Sequence, residues 1–179
     1  MKRLHKVIDT VFSVGELDYI SDNFKSFKQV NLGAAYSHCH STLFYEVPED
    51  ISKLQQVANT LTDINRQVWN LDLEVTFLTP TLHVYEAKDS PLSKLGLKTH
   101  RTVVKRGCLW HYDNTLLDCA ITFAVKIVGG EESDFSFIDN EQLLKFDAPN
   151  GTGLILASFM PYNINIKDEL EMYLFYHLR

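Results

Sequence analysis

Cysteine is scarce in this 179-residue chain. Cys39, Cys108 and Cys119 are odd in number, and none stands in C-x-x-C spacing. A disulfide framework and a cysteine-rich zinc site are therefore not expected, and a reducing compartment is. Long apolar runs are missing too: no stretch reaches the roughly 20 residues that span a bilayer. Met1-Lys2-Arg3-Leu4-His5 opens an alternating pattern, not the apolar run of a leader. The expectation is a cytoplasmic protein, not secreted, with no membrane partner. Positive charge is in deficit, with 17 Lys and Arg against 23 Asp and Glu and a net charge of −6. Affinity for a nucleic-acid backbone is built on neutralising phosphates, so nucleic acid is not the expected partner. One basic stretch, Lys94, Lys98, Arg101, Lys105 and Arg106 with His100 among them, reads as a solvated loop, the alternative being a docking place for an anionic partner. No glycine loop suited to cradling phosphates and no G-x-S-x-G elbow occurs. No repeat or biased composition points to a solenoid or to disorder.

What is present is an ordinary globular composition, 45% hydrophobic and 22% charged. A chain of this size can remove about 70% of its unfolded surface from water, so a full core needs no staples. One domain over 1–179 is expected, with an N-terminal strand and helices in 1–70 and a β core in 71–179.

Val7, Val11 and Val14 around Asp9 and Thr10 read as a short strand, before Ser13-Val14-Gly15-Glu16 with its capping-box spacing. Leu17, Ile20, Phe24 and Phe27 then recur at helical intervals, predicting a helix to about Lys28. A second helix follows Pro48, with Ile51, Leu54, Val57, Leu61, Ile64 and Val68 on one stripe. Residues 35–38 and 43–45 read as strand material between them, with turn residues around Asn31 and Gly33.

From Leu71 the period becomes two. Leu71, Leu73, Val75 and Phe77 alternate, as do Leu82 and Val84, and then Cys119, Ile121, Phe123, Val125 and Ile127. Gly129-Gly130 and Asn150-Gly151 turn the chain before strands at Phe135 and Leu154. The last strand places Glu171, Tyr173, Phe175 and His177 on one face and Met172, Leu174 and Tyr176 on the other. Helices first and strands later predict an α+β, mainly β sandwich or flattened barrel with the helices packed outside one sheet.

The chemistry concentrates at Trp110-His111-Tyr112-Asp113-Asn114. On extended backbone, His111 and Asp113 point to one face, where an imidazole and a carboxylate suit two ligands of one metal. His38-Cys39-His40 lacks spaced partners and reads as ordinary strand. Cys108 reads as a small buried hydrophobe, not a nucleophile.

Several phrases, in this order, resemble the prolyl-hydroxylase-like branch of the iron(II)/2-oxoglutarate oxygenases. They are residues 65–73 at the helix-to-strand passage, Leu82-His83-Val84-Tyr85, H-x-D at His111 and Asp113, Val128-Gly129-Gly130-Glu131, and residues 153–161 leading into a ligand position. The resemblance implies a double-stranded β-helix (jelly-roll) core with N-terminal helices packed on one sheet and an insertion at about 86–106. It implies Fe(II) and 2-oxoglutarate as cofactors if the protein is active, with Tyr85 near the cosubstrate. Two positions depart from the pattern. Tyr162 stands where the third metal ligand, a histidine, belongs, and a phenol ligates well only after losing a proton whose ordinary pKa is about 10. His177 is the alternative third ligand. Glu171 stands where a basic residue takes the distal carboxylate of 2-oxoglutarate. Two carboxylates about 4 Å apart at an effective dielectric of 20 repel by roughly 4 kcal/mol. A register shifted by two puts Tyr173 there instead.

The resulting expectation is an oxygenase-fold protein without standard turnover. It would serve as a binding, assembly or structural module, a virus-particle subunit included, with protein partners or copies of itself and with no cofactor of its own. The alternative is an active Fe(II)-dependent hydroxylase or dioxygenase that uses His111 and Asp113, with 86–106 at the substrate mouth.

Overall fold

A computed structural model describes residues 4–32, 39–40, 42–71, 78–85, 107–113, 119–130, 135–166 and 170–179. The Ser13 box forms as expected: the Ser13 backbone N–H and hydroxyl both donate to Glu16, and helix α1 spans Val14–Asn23. Leu17 and Ile20 carry its buried face. The helix stops earlier than its spacing predicts. A 3-10 turn, Phe24–Ser26, follows, and Phe27 is extended, so Lys28 enters a strand paired with Glu46. Pairing at the sheet outweighs the apolar spacing, which Phe24 and Phe27 satisfy from outside the helix by packing into the same core.

The second helix is two. Helix α2 (Glu49–Ser52) ends at Lys53 in the left-handed conformation, and α3 (Leu54–Ile64) continues into a wide π-turn, Asn65–Trp69. The Asn65 side chain holds the exit through reciprocal bonds with the Leu71 backbone. The break at Lys53 is fastened by an ion pair to Glu16 at 2.7 Å and by a position over the Phe12 ring.

Twelve strands form among the described residues. They are β1 (His5–Ile8), β2 (Lys28–Val30), β3 (Cys39–His40), β4 (Thr42–Glu46), β5 (Thr81–Tyr85), β6 (Gly107–His111), β7 (Ile121–Val128), β8 (Phe135–Asp139), β9 (Gln142–Lys145), β10 (Gly153–Ala157), β11 (Tyr162–Asn165) and β12 (Glu171–Leu178). A seven-stranded sheet runs β1-β10-β7-β12-β5-β4-β2, and a five-stranded sheet runs β3-β6-β11-β8-β9. All the pairings are antiparallel. The expected turn at Asn150-Gly151 forms, with Gly151 at φ 88°. Asn140 and Glu141, both at positive φ, close the β8–β9 hairpin.

Two apolar layers result, because alternate residues of each central strand face opposite ways. Phe123, Val125 and Ile127 of β7 pack with Met172 and Leu174 of β12 against Leu17, Ile20, Val57 and Leu61 of the helices. The opposite faces, with Ala124, Tyr173 and Phe175, pack against Phe135, Phe137, Tyr162 and Ile164 of the smaller sheet. Fully burying one such side chain stabilises by roughly 1.5–3 kcal/mol. This is the expected mainly β jelly roll with helices on one sheet.

One expectation is overturned. Cys39 and Cys108 face each other directly across β3 and β6 and form a disulfide. The odd count and missing C-x-x-C spacing said nothing about cross-strand neighbours 69 residues apart. Cys119 is the buried free thiol. No described helix is long and apolar enough to cross a membrane. The strand material at 35–38, the turn at Gly33, the alternation at 73–77 and the 86–106 insertion with its basic residues lie outside the described residues.

Candidate functional site

Strand β6 delivers His111 to the interior through a bulge. Tyr162 of β11 pairs with His111, but Ile164 pairs with Cys108, so three steps on β6 face two on β11. The extra residue puts Leu109 and Trp110 both outward, 46% and 45% exposed, and returns His111 to the side that Cys108 faces. The H-x-D parity then holds: His111 and Asp113 are buried, whereas Tyr112 between them is 47% exposed.

The His111 Nδ1–H donates to the Leu109 carbonyl at 2.6 Å, leaving Nε2 as the lone-pair nitrogen, 3.6 Å from Asp113 Oδ1. Burial lowers the His111 pKa, against the opposing pull of Asp113. Asp113, 1% exposed, is the hub of the site. The Thr122 hydroxyl donates to Oδ2 at 2.6 Å, and the Tyr162 hydroxyl donates to both oxygens, at 3.2 and 3.0 Å. His177 Nδ1 lies 3.7 Å from Oδ2. Burial lowers the His177 pKa as well, with Asp113 raising it and His111 adding to the depression. Cys119, beside His177, is a poor thiolate: burial and the Asp113 charge push it up to about 12. The structure thus gathers His111, Asp113, Tyr162 and His177, all four candidates for the metal site, from β6, the segment after it, β11 and β12.

The other group of candidates lies at the opposite end of β12. Glu171 pairs in register with Tyr85, and the Tyr173 hydroxyl donates to Glu171 Oε2 at 2.8 Å. Burial, followed by the charges of Glu171 and Asp113, raises the Tyr85 pKa well above its ordinary value. Sequence reasoning missed Lys126. It shares the inward parity of Thr122 and Ala124 on β7 and is 0% exposed, with its ammonium donating to the carbonyls of Gly130 at 2.6 Å and Ala148 at 3.3 Å. A methyl group built on Gly129 would stand 3.4 Å from Lys126 Nζ and 3.6 Å from the Glu171 carboxyl carbon. The available signal was the single charge inside the apolar run from Ile121 to Val128.

Aromatic rings occupy the space between these two groups. Phe135 stacks on Tyr162 at 5.0 Å between centroids and lies 5.6 Å from Tyr173 and 6.4 Å from Phe175. His83 stacks on Phe175 at 4.2 Å, and Tyr85 meets Tyr173 edge-on at 6.3 Å. Phe135, Tyr173, Phe175 and Tyr85 are all fully buried.

No protein-family model and no curated protein matches the chain. Solved structures do. A Pseudomonas putida prolyl-4-hydroxylase superposes with a TM-score of 0.70 at 9% identity, covering 99% of this chain and 92% of that one. A Trichoplax adhaerens prolyl hydroxylase, in complex with a fragment of the hypoxia inducible factor oxygen degradation domain, gives 0.71 at 13%, covering 98% and 83%. The viral collagen prolyl hydroxylase of Paramecium Bursaria Chlorella virus-1, in its 2-oxoglutarate complex, gives 0.63 at 10%, covering 98% and 96%. The fold is that of the iron(II)/2-oxoglutarate oxygenases.

Proteins of this oxygenase fold hold Fe(II) and 2-oxoglutarate, and the residues placed here do not fit the pair. The Tyr162 hydroxyl bridges the Asp113 carboxylate as a donor, so it is a phenol and not a phenolate ligand. His111 and His177 approach different oxygens of Asp113, and among the described residues no three His, Cys, Asp or Glu side chains are arranged to hold an ion. At the other end of β12, Glu171 is a buried carboxylate that accepts from Tyr173, and binding a dicarboxylate there would need a cation. Among the described residues the ammonium of Lys126 lies near, and it donates to the Gly130 and Ala148 carbonyls.

Proposed function

We propose that this chain is an oxygenase-fold protein without standard 2-oxoglutarate-dependent turnover, working as a binding, assembly or structural module. One observation carries the reading: Phe135, Tyr162, Tyr173 and Phe175 fill the space between Asp113 and Glu171 with packed rings. A catalytic barrel keeps that space open for cosubstrate. Leu109, Trp110, Tyr112 and Phe159 are exposed instead. Aromatic side chains of this kind are enriched at protein interfaces, which supports a protein partner or a second copy, a subunit of a virus particle included. The disulfide sits better with an oxidising setting than with the reducing cytoplasm read from the cysteine count.

Light scattering combined with iron analysis tests this. Self-association or partner assembly in iron-free protein is the expected result, and a monomer with one tightly held Fe(II) that needs His111 overturns it.

The placement of His177 favours a second reading, an Fe(II)-dependent hydroxylase. In that reading Tyr162 leaves Asp113, and His111 and His177, 3.6 and 3.7 Å from its two oxygens, rearrange around it into a two-histidine, one-carboxylate set that the described residues do not form as they stand. Metal-dependent turnover abolished by His177→Ala supports that reading, and turnover indifferent to His177 excludes it.

A further inference from the structure

The face of the large sheet that carries Phe175 and His177 continues over β5, β4 and β2. Thr81 pairs with Phe175, Glu46 with Thr81, and Lys28 with Glu46, so these residues share one side. A cavity of about 190 Å³ opens there, lined by Val30, Leu32 and Leu78, the hydroxyl residues Thr79 and Thr81, the Glu46 carboxylate and buried His177. Pockets for drug-sized ligands hold about 300–1,000 Å³, so this one suits a single side chain. Its composition is that of a sleeve for an aliphatic stem with one carboxylate to receive a cationic head. Glu46 already takes an alkylammonium from Lys28, at 2.8 Å, but Lys28 is largely exposed and a surface pair of this kind is worth little. The pair is therefore exchangeable. Val30 belongs to β2, the terminal strand of its sheet among the described residues, so an added strand could lie along it with alternate side chains toward the cavity.

We propose that this cavity receives the lysine or arginine side chain of a partner polypeptide paired along β2. The inference rests on the binding-module reading above and supplies the chemistry of its partner.

The test titrates the full-length protein with a capped five-residue β-forming peptide bearing a central lysine, read by calorimetry and by amide shifts at Leu78, Thr79 and Thr81. The control peptide carries norleucine instead of lysine, and n-butylammonium is the free-amine arm. The Glu46 side chain is 35% exposed and paired at the surface with Lys28, so Glu46→Gln is expected to leave the fold intact. It should weaken lysine-peptide binding about tenfold, the loss of one charge-assisted bond. Lys28→Ala, which removes the internal competitor, should tighten binding. No binding, equal binding of the norleucine peptide, or indifference to Glu46→Gln overturns the proposal, and binding of n-butylammonium alone overturns the polypeptide source. The module reading is decided separately by metal and 2-oxoglutarate binding, so the two can fail independently.

Discussion

The Tyr162 hydroxyl donates to both oxygens of Asp113, at 3.2 and 3.0 Å, from directly opposite His111 across β6 and β11. The Asp113 carboxylate therefore receives a proton from Tyr162 as well as from Thr122, and under the proposed reading that proton stands where a metal would need a lone pair.

Tyr162→His exchanges that donor for an imidazole. The expected outcome is a gain in Mn(II) affinity on the order of tenfold or more, comparable to what supporting groups contribute at metal sites. Electron paramagnetic resonance of added Mn(II) reads it. An unchanged affinity would show that Tyr162 is not what keeps a metal out.

The aromatic stack should matter for stability. Phe175→Ala removes a fully buried ring that touches His83, Phe135 and Tyr162. The loss should be about 3–5 kcal/mol in denaturant unfolding. A loss below about 1 kcal/mol would mean that the space between the sheets collapses easily and is not rigidly filled.

The same residues show how much the sequence discloses. Parity along β12 is legible, because Glu171, Tyr173, Phe175 and His177 need only the two-residue period to share a face, and they do share it. The capping box at Ser13 and the stripe of α3 are legible for the same local reason. The Cys39–Cys108 bond is not, because it depends on the register between strands 69 residues apart. Lys126 hides inside an apolar run, where a lone charge gives no sign of the carbonyls that will receive it. The break at Lys53 depends on contacts with Phe12 and Glu16 that lie far back in the chain.

Reduction of Cys39–Cys108 should destabilise the fold by about 2–4 kcal/mol, the typical effect of releasing a long loop. Thermal unfolding with and without dithiothreitol measures this. Cys39→Ser should show the lowered midpoint without reductant and no further response to it.

Acid should weaken the α1 cap. Glu16 is lowered to about 2, first by its bond to Lys53 and then by the Ser13 backbone. A carboxylate depressed in the folded state contributes stability that is present above its ordinary value of 4.5 and is lost as pH falls toward 2. Wild type and Glu16→Gln should therefore differ most in unfolding free energy above pH 5 and converge near pH 2. A gap that widens with acid would contradict the assignment.

If the rings of Phe135, Tyr162, Tyr173 and Phe175 stand where a cosubstrate would lie, the protein should bind no 2-oxoglutarate. The most direct measurement is anaerobic calorimetry of Mn(II), with and without 2-oxoglutarate, in wild type and His111→Ala. The account predicts no 2-oxoglutarate binding in either protein. Micromolar metal binding that requires His111 and tightens with 2-oxoglutarate would contradict it and establish a working oxygenase.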